Sequence, residues 1–195
     1  MLLKEVERLM AENSALRARN ETLEQRAELA FVDTLTGVPN RRAFDHALER
    51  ELGRAERGVR PLSLVLMDVD HFKKVNDEHG HQVGDQVLRR LGRLLGRSVR
   101  QVDFVGRYGG EEFVFLFPST GDTDAWAFGE RLRRNVFPPN LHFIGSRGQP
   151  FTVTVSFGIA EWWGHGEDAS MLIERADRAL YEAKRQGRNC AVIAD

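Results

Sequence analysis

The chain is poor in several things that would have directed its reading. It has one cysteine, Cys190, among 195 residues. No intrachain disulfide can form, and a reducing compartment, the cytoplasm, is the default. No apolar run approaches the roughly 20 residues that span a bilayer, and the first residues are too charged for a secretory leader. The formal net charge is −1, without the strong single-sign excess that marks a nucleic-acid or membrane surface. Internal repeats and low-complexity segments are missing, as is any Gly-x-x-x-x-Gly-Lys-[Ser/Thr] phosphate loop. What is present is ordinary for a globular protein: 42% hydrophobic and 29% charged residues. The length suits one domain plus an appendage.

The appendage is expected at residues 1–31. Leu2, Leu9, Leu16, Leu23 and Ala30 recur every seven residues, with Val6, Asn13, Asn20 and Ala27 four places after each of the first four. This is a heptad seam with leucine at d, and no Gly or Pro interrupts it. A buried Asn pairs best with its own copy, so Asn13 and Asn20 favour a parallel, in-register homodimer. Glu12 would then face Arg17 of the second copy, and Arg19 would face Glu24, both attractive. The alternative is a single amphipathic helix lying on the domain, for which two Asn on the apolar stripe are poor choices.

Residues 32–195 read as the globular domain. A turn at residues 33–42 leads into a helix running to about Leu52. Residues 62–67 form an apolar, buried-looking strand. A helix over residues 83–99 places Val83, Val87, Leu88, Leu91, Leu94 and Leu95 on one face. Two short strands at residues 102–105 and 113–117 flank Gly109-Gly110 as a hairpin. A helix follows at residues 123–136, then an alternating strand at residues 151–157. The last helix spans residues 169–186 with Gly187 as its C-terminal cap, and a short strand closes at residues 190–193. This order implies an α/β (α+β) sandwich with a mostly antiparallel sheet. Trp162 and Trp163 suggest no function.

The chemistry concentrates in Arg107-Tyr108-Gly109-Gly110-Glu111-Glu112-Phe113. Glycine permits positive φ and leaves the backbone bare for a ligand. Two carboxylates after such a turn are poorly placed for a core and well placed for a divalent cation beside a phosphate. The plainer reading is a hairpin turn and nothing more. A second acidic group, Asp68-Val69-Asp70, ends the strand at residues 62–67. Acids converging from two strands repel one another without a cation. The reaction class this suggests is metal-assisted attack on a nucleotide phosphate.

The hairpin resembles the signature of the GGDEF family, the diguanylate cyclases. Three further stretches match that family: residues 33–42; residues 68–85, from Asp68-Val69-Asp70-His71-Phe72-Lys73 through Asn76 to Gly84-Asp85; and residues 176–189. The resemblance implies a ferredoxin-like palm, a nucleotide-cyclase-like sheet surrounded by helices, here preceded by a long coiled-coil helix. It implies that two GTP are condensed to cyclic di-GMP with release of two pyrophosphates. It makes Asp68, Glu111 and Glu112 the catalytic residues. These three, with the Val69 carbonyl, would hold Mg²⁺ (or Mn²⁺), and Glu111 is the candidate proton acceptor. His71, Phe72, Lys73, Gly109 and Gly110 lie at the phosphates, as do Lys184 and Arg188, four apart and so on one helix face. Taken singly, either cation would equally suit a helix C-terminus. Asn76 and Asp85 would read guanine, with His81 and Leu88 lining the base pocket. Arg100, Asp103 and Arg131 match the site where the family binds cyclic di-GMP as an inhibitor, although a surface ion pair is the plainer reading of each. The implied partners are GTP, the product, and a second copy of the chain, which can pair further into higher oligomers. A regulatory protein on the stalk is also compatible. The alternative function is an inactive cyclic di-GMP receptor or regulatory interaction module.

Overall fold

The computed structural model describes Asn13, Arg17 and residues 31–58, 60–135, 137, 141–164 and 166–195. The heptad segment therefore lies outside the described residues, apart from Asn13 and Arg17, which are helical. The chain divides into two units, Met1–Val32 and Asp33–Asp195. The second is a mixed α+β domain built on one sheet.

Helix α1 (Arg41–Gly58) is started by the Asn40 side chain, whose Oδ1 accepts the Ala43 N–H at 3.1 Å. It buries Phe44, Ala47, Leu48, Glu51 and Ala55, a single helical stripe. Strand β1 (Leu62–Val69) follows and is buried along its whole length. Next come α2 (Phe72–His79), α3 (His81–Ser98), β2 (Phe104–Arg107), β3 (Glu112–Pro118) and α4 (Asp122–Asn135). A small hairpin of β4 (Phe143–Ile144) and β5 (Pro150–Phe151) precedes β6 (Val155–Glu161), α5 (Ala169–Arg185) and β7 (Ala191–Ile193). The sheet has five strands in the order β2-β3-β1-β6-β7. Among the described residues, only the β6–β7 pairing is parallel.

Helices cover both faces. Strand alternation sends Leu64 and Leu66 of β1, with Val114 and Leu116 of β3, to one face, where they meet Phe44 and Leu48 of α1 and Leu172, Ala176 and Leu180 of α5. Val65, Met67 and Val69 go to the other face, with Phe113, Phe115 and Phe117, against Val87, Leu88, Leu91 and Leu95 of α3. Helix α5 lies unusually close to β6. A Cβ on Gly158 would stand 2.2 Å from the Ala176 carbonyl oxygen and from the Leu180 nitrogen, so only glycine admits this contact.

Several boundaries differ from those expected. Helix α1 runs to Gly58 rather than to about Leu52, because Ala55 continues its buried stripe. Helix α2 and the β4–β5 hairpin were not anticipated. The strand expected at residues 151–157 is displaced: Phe151 belongs to β5, and β6 begins at Val155. Trp163, 64% exposed, lies over the guanidinium of buried Arg175 at 3.4 Å, and Arg175 is paired with Glu167 at 2.9 Å. The two tryptophans thus belong to a structural cluster.

Candidate active site

The acidic pair follows from strand register. Asp68 is opposite Glu112 in the β1–β3 ladder. Asp68 continues the Leu64–Leu66 row and Glu112 the Leu116–Val114 row, so both carboxylates extend an apolar face toward α5. From α5, Lys184 places its Nζ 2.8 Å from Asp68 Oδ2. Burial, only partly offset by Lys184, pushes the Asp68 carboxyl above its ordinary range. Burial and then the neighbouring Asp68 charge push Glu112 up as well, with Asp177 and Glu111 adding to the effect. A pair of acids held this way favours a cation between them.

The hairpin turn is held firmly. The N–H groups of Tyr108 and Gly109 donate to the Glu112 carbonyl at 2.9 and 3.4 Å. Arg107 sends Nε and Nη2 to the Gly110 carbonyl at 3.0 and 2.7 Å. Its Nη1 meets both Asp33 oxygens at 3.0 Å. Positive φ is not what the glycines provide, since neither Gly109 nor Gly110 adopts it. A Cβ on Gly109 would sit 2.9 Å from Glu112 Oε2, whereas Gly110 faces open space. Gly109 therefore serves clearance.

A hard divalent cation would suit the Asp68–Glu112 pair, where an ammonium already neutralises one member. Val69 donates its N–H to the Glu111 carbonyl, so its own carbonyl also points toward β3. Among the described residues no three His, Cys, Asp or Glu side chains converge on one point. Asp68 and Glu112 are brought together, while Glu111 stands one residue along, outside the opposed pair. The rest of a cation's shell would have to come from carbonyl, water and phosphate oxygens.

The remaining residues group by location. Helix α2 starts directly beyond β1. His71 is its left-handed N-cap at φ 56°, and its carbonyl accepts the N–H groups of Lys74 and Val75. The first N–H groups of α2 lack intrahelical acceptors, which favours an anion there, and Lys73 is exposed beside them. Phe72 is buried, so only its backbone can face a ligand. Asn76 lies against α3, where a Cβ on Gly84 would collide with Asn76 Oδ1 at 2.0 Å. Asp85 is half exposed, 3.7 Å from Arg89. His81 is exposed at the start of α3, and Leu88 is buried in the core. Arg188 corrects the expectation of a shared helix face. Helix α5 ends at Arg185, and Arg188 sits in the following turn at φ 68°. Gly187, at φ 111°, makes that turn possible.

At the opposite end of β2 the charge has the other sign. Arg100, Asp103 and Arg131 line one cavity of about 510 Å³ together with Phe117 and Phe128. Asp103 accepts the Arg100 N–H at 2.9 Å through Oδ2, while its Oδ1 is buried without a hydrogen-bond partner. A neighbouring cavity of about 840 Å³ is lined by Arg50, Arg54, Arg57, Arg60 and again Arg100.

A family model described as diguanylate cyclase, GGDEF domain, matches residues 30–190. The chain belongs to the GGDEF domain family of diguanylate cyclases. The coiled coil and GGDEF domain of DgcB from Caulobacter crescentus, solved in complex with c-di-GMP, is 38% identical with a TM-score of 0.89, covering 96% of this chain and 97% of that one. Diguanylate cyclase SiaD from Pseudomonas aeruginosa, solved with its activator SiaC, is 37% identical with a TM-score of 0.75, over 98% of this chain and 74% of that one. Diguanylate cyclase DgcP from Pseudomonas aeruginosa is 40% identical over 189 residues, which is 97% of this chain and 28% of DgcP. The chain thus spans little more than a quarter of this curated GGDEF relative. Among the described residues, no helix is long and apolar enough to cross a membrane.

Proposed function

We propose that the chain is a diguanylate cyclase, condensing two GTP into cyclic di-GMP and two pyrophosphates. The observation that carries this reading is the pair of buried Asp68 and half-buried Glu112, opposed across β1 and β3 with Lys184 2.8 Å from Asp68. A divalent cation such as Mg²⁺ held by Asp68 and Glu112, with Glu111 and the Val69 carbonyl beside them, would acidify the attacking 3′-hydroxyl and neutralise the leaving pyrophosphate.

The chain's own residues bind and orient. Lys73 and the first N–H groups of α2 face the β- and γ-phosphates, and Lys184 and Arg188 hold the triphosphate from α5 and its following turn. Gly109 and Gly110 leave room for the phosphates against the hairpin. Asn76 and Asp85 read guanine; an Asp can accept from both N1–H and N2–H₂, a donor pair that adenine lacks. His81 and Leu88 close the base pocket. Glu111, on the rim of the site, takes the proton of the 3′-hydroxyl.

Each protomer offers half a site, so two domains must face each other across a two-fold axis. The heptad segment raises the concentration of one half-site near the other. SiaD, which is solved with an activator, is a precedent for a protein partner acting on such a cyclase. The cavity of Arg100, Asp103 and Arg131 would take the product as inhibitor, its arginines engaging guanine and phosphate.

The test is direct: purified protein is incubated with GTP and Mg²⁺ or Mn²⁺, and the products are resolved by chromatography. Cyclic di-GMP and pyrophosphate in a 1:2 ratio are expected. No product at high protein concentration would overturn the reading. Added cyclic di-GMP should slow the reaction, and Arg100→Ala should raise its inhibition constant about tenfold or more, as loss of a charged contact implies.

A further inference from the structure

We propose that Asp70 is a positioning residue, which fixes the turn carrying Arg188 and thereby sets the grip on the triphosphate. It stands two residues beyond Asp68 and looks like a second acid of the site. The geometry gives it another task. Asp70 is 3% exposed. Its Oδ1 accepts the Ser156 hydroxyl at 2.7 Å, and its Oδ2 accepts the Thr154 hydroxyl at 2.6 Å and the Asn189 N–H at 3.0 Å. Its own N–H donates to the Thr154 carbonyl at 2.9 Å. The carboxylate is occupied by donors of the protein.

The Asn189 bond matters most, because of where it lands. Gly187, Arg188 and Asn189 follow one another at φ 111°, 68° and 48°. Left-handed backbone is unfavourable for a non-glycine residue, so two in succession persist only where surrounding contacts over-determine them. The Arg188 N–H is held by the Ala183 carbonyl at 3.0 Å, which ties the turn to α5. The Asp70 bond ties it to the end of β1. The two acids after Met67 therefore divide the work: Asp68 meets Lys184 directly, and Asp70 fixes the backbone that presents Arg188.

This inference rests on Lys184 and Arg188 being triphosphate-binding cations. Its test uses a difference between the donors. The hydroxyls of Ser156 and Thr154 can donate or accept, whereas the Asn189 amide can only donate. Asp70→Asn keeps an oxygen for that amide and offers its NH₂ to a hydroxyl. Asp70→Ala keeps nothing. Binding of a non-hydrolysable GTP analogue is measured by calorimetry, the KM and kcat for GTP by product release, and the Asn189 amide by hydrogen exchange. Asp70→Ala should weaken analogue binding and raise KM about tenfold, with kcat changed less than about threefold, a loss of uniform binding. Asn189 exchange should quicken while the β1–β3 ladder stays protected. Asp70→Asn should stay within about twofold of the parent. Where Asp70→Ala fails to fold, Asp70→Ser, too short to reach the amide, should give the same pattern. Unchanged analogue affinity despite faster Asn189 exchange would overturn the proposal. So would an Asp70→Asn variant as impaired as Asp70→Ala with Asn189 still protected, because Asp70 would then be acting through its charge. A parent protein that binds no analogue would instead overturn the cyclase reading on which this one stands.

Discussion

Asp33 and the Asp68–Glu112 pair flank the same hairpin turn and are electrostatic opposites. Asp33 accepts the Thr36 amide at 2.8 Å and hydroxyl at 2.6 Å, and it faces Arg107 with both oxygens. Burial would raise its carboxyl, but Thr36 and Arg107 outweigh burial and hold it below the ordinary range. Asp68 and Glu112 have each other and one lysine, and both are pushed up. One acid has its charge answered within the fold; the other two share a single lysine, which leaves the pair's remaining charge to be answered from outside. The two regions are also mechanically joined. Arg107 binds Asp33 with one arm and the Gly110 carbonyl with the others, so the satisfied acid braces the turn that displays the unsatisfied ones.

The largest effect should come from removing a charge on the unsatisfied side. Asp68→Asn keeps the shape and removes the carboxylate. Cyclic di-GMP formation should fall by about a thousandfold, in line with the several kcal/mol that charge stabilisation at a transferring phosphate supplies. A variant within tenfold of the parent rate would break the comparison, since Asp68 would then be a buried acid without catalytic use.

The satisfied side should respond in stability. Arg107 and Asp33 are each about one-fifth exposed, so truncating the arginine strands a largely desolvated carboxylate and frees the Gly110 carbonyl. Arg107→Ala should cost about 2 kcal/mol in urea unfolding at neutral pH. The pH dependence has a definite sign. A carboxyl lowered in the folded state contributes stability above its unfolded value and loses it as pH falls through the folded one. The gap between parent and Arg107→Ala should therefore narrow on acidification below about pH 4. A gap constant down to pH 2 would show that Arg107 acts through packing alone.

These two acids also show what the sequence can reveal. Helix α3 was legible because its stripe of Val87, Leu88, Leu91 and Leu95 has the period of a helix buried on one side. Helix α2 was missed because only Phe72 and Val75 of its eight residues are buried, too few to mark a period. Strand β6 was read out of place. The alternation that stands out, Phe151 to Phe157, begins in β5, crosses the residues between the two strands and ends in the first three residues of β6, so the pattern does not mark where the strand starts. The opposed acids Asp68 and Glu112 could be found because each sits in a local signature. The partners of Asp70, at Thr154, Ser156 and Asn189, lie 84, 86 and 119 residues away. No spacing within the chain encodes such contacts; only the sheet order brings them together. The Asp33–Arg107 pair, 74 residues apart, was hidden for the same reason.

The smallest effect tests the comparison most finely, because its sign runs against ordinary expectation. Replacing a half-buried side chain usually destabilises. Glu112 carries a raised carboxyl, so the folded state binds its proton more tightly than the unfolded chain does. By linkage, stability falls as pH rises from the unfolded value through the raised one and stays lower above it. Glu112→Gln removes that cost while keeping volume and an oxygen. The metal-free variant should gain about 0.5–1 kcal/mol at pH 7, the range typical of relieving an unfavourable site charge. The gain should fade toward pH 4, where the parent carboxyl is protonated in both states, and should disappear when a divalent cation and GTP are supplied to the parent. Asp33→Asn in parallel should lose stability at pH 7. Losses in both variants would mean that Glu112 is held as well as Asp33, and that the contrast between the two sides of the turn does not exist.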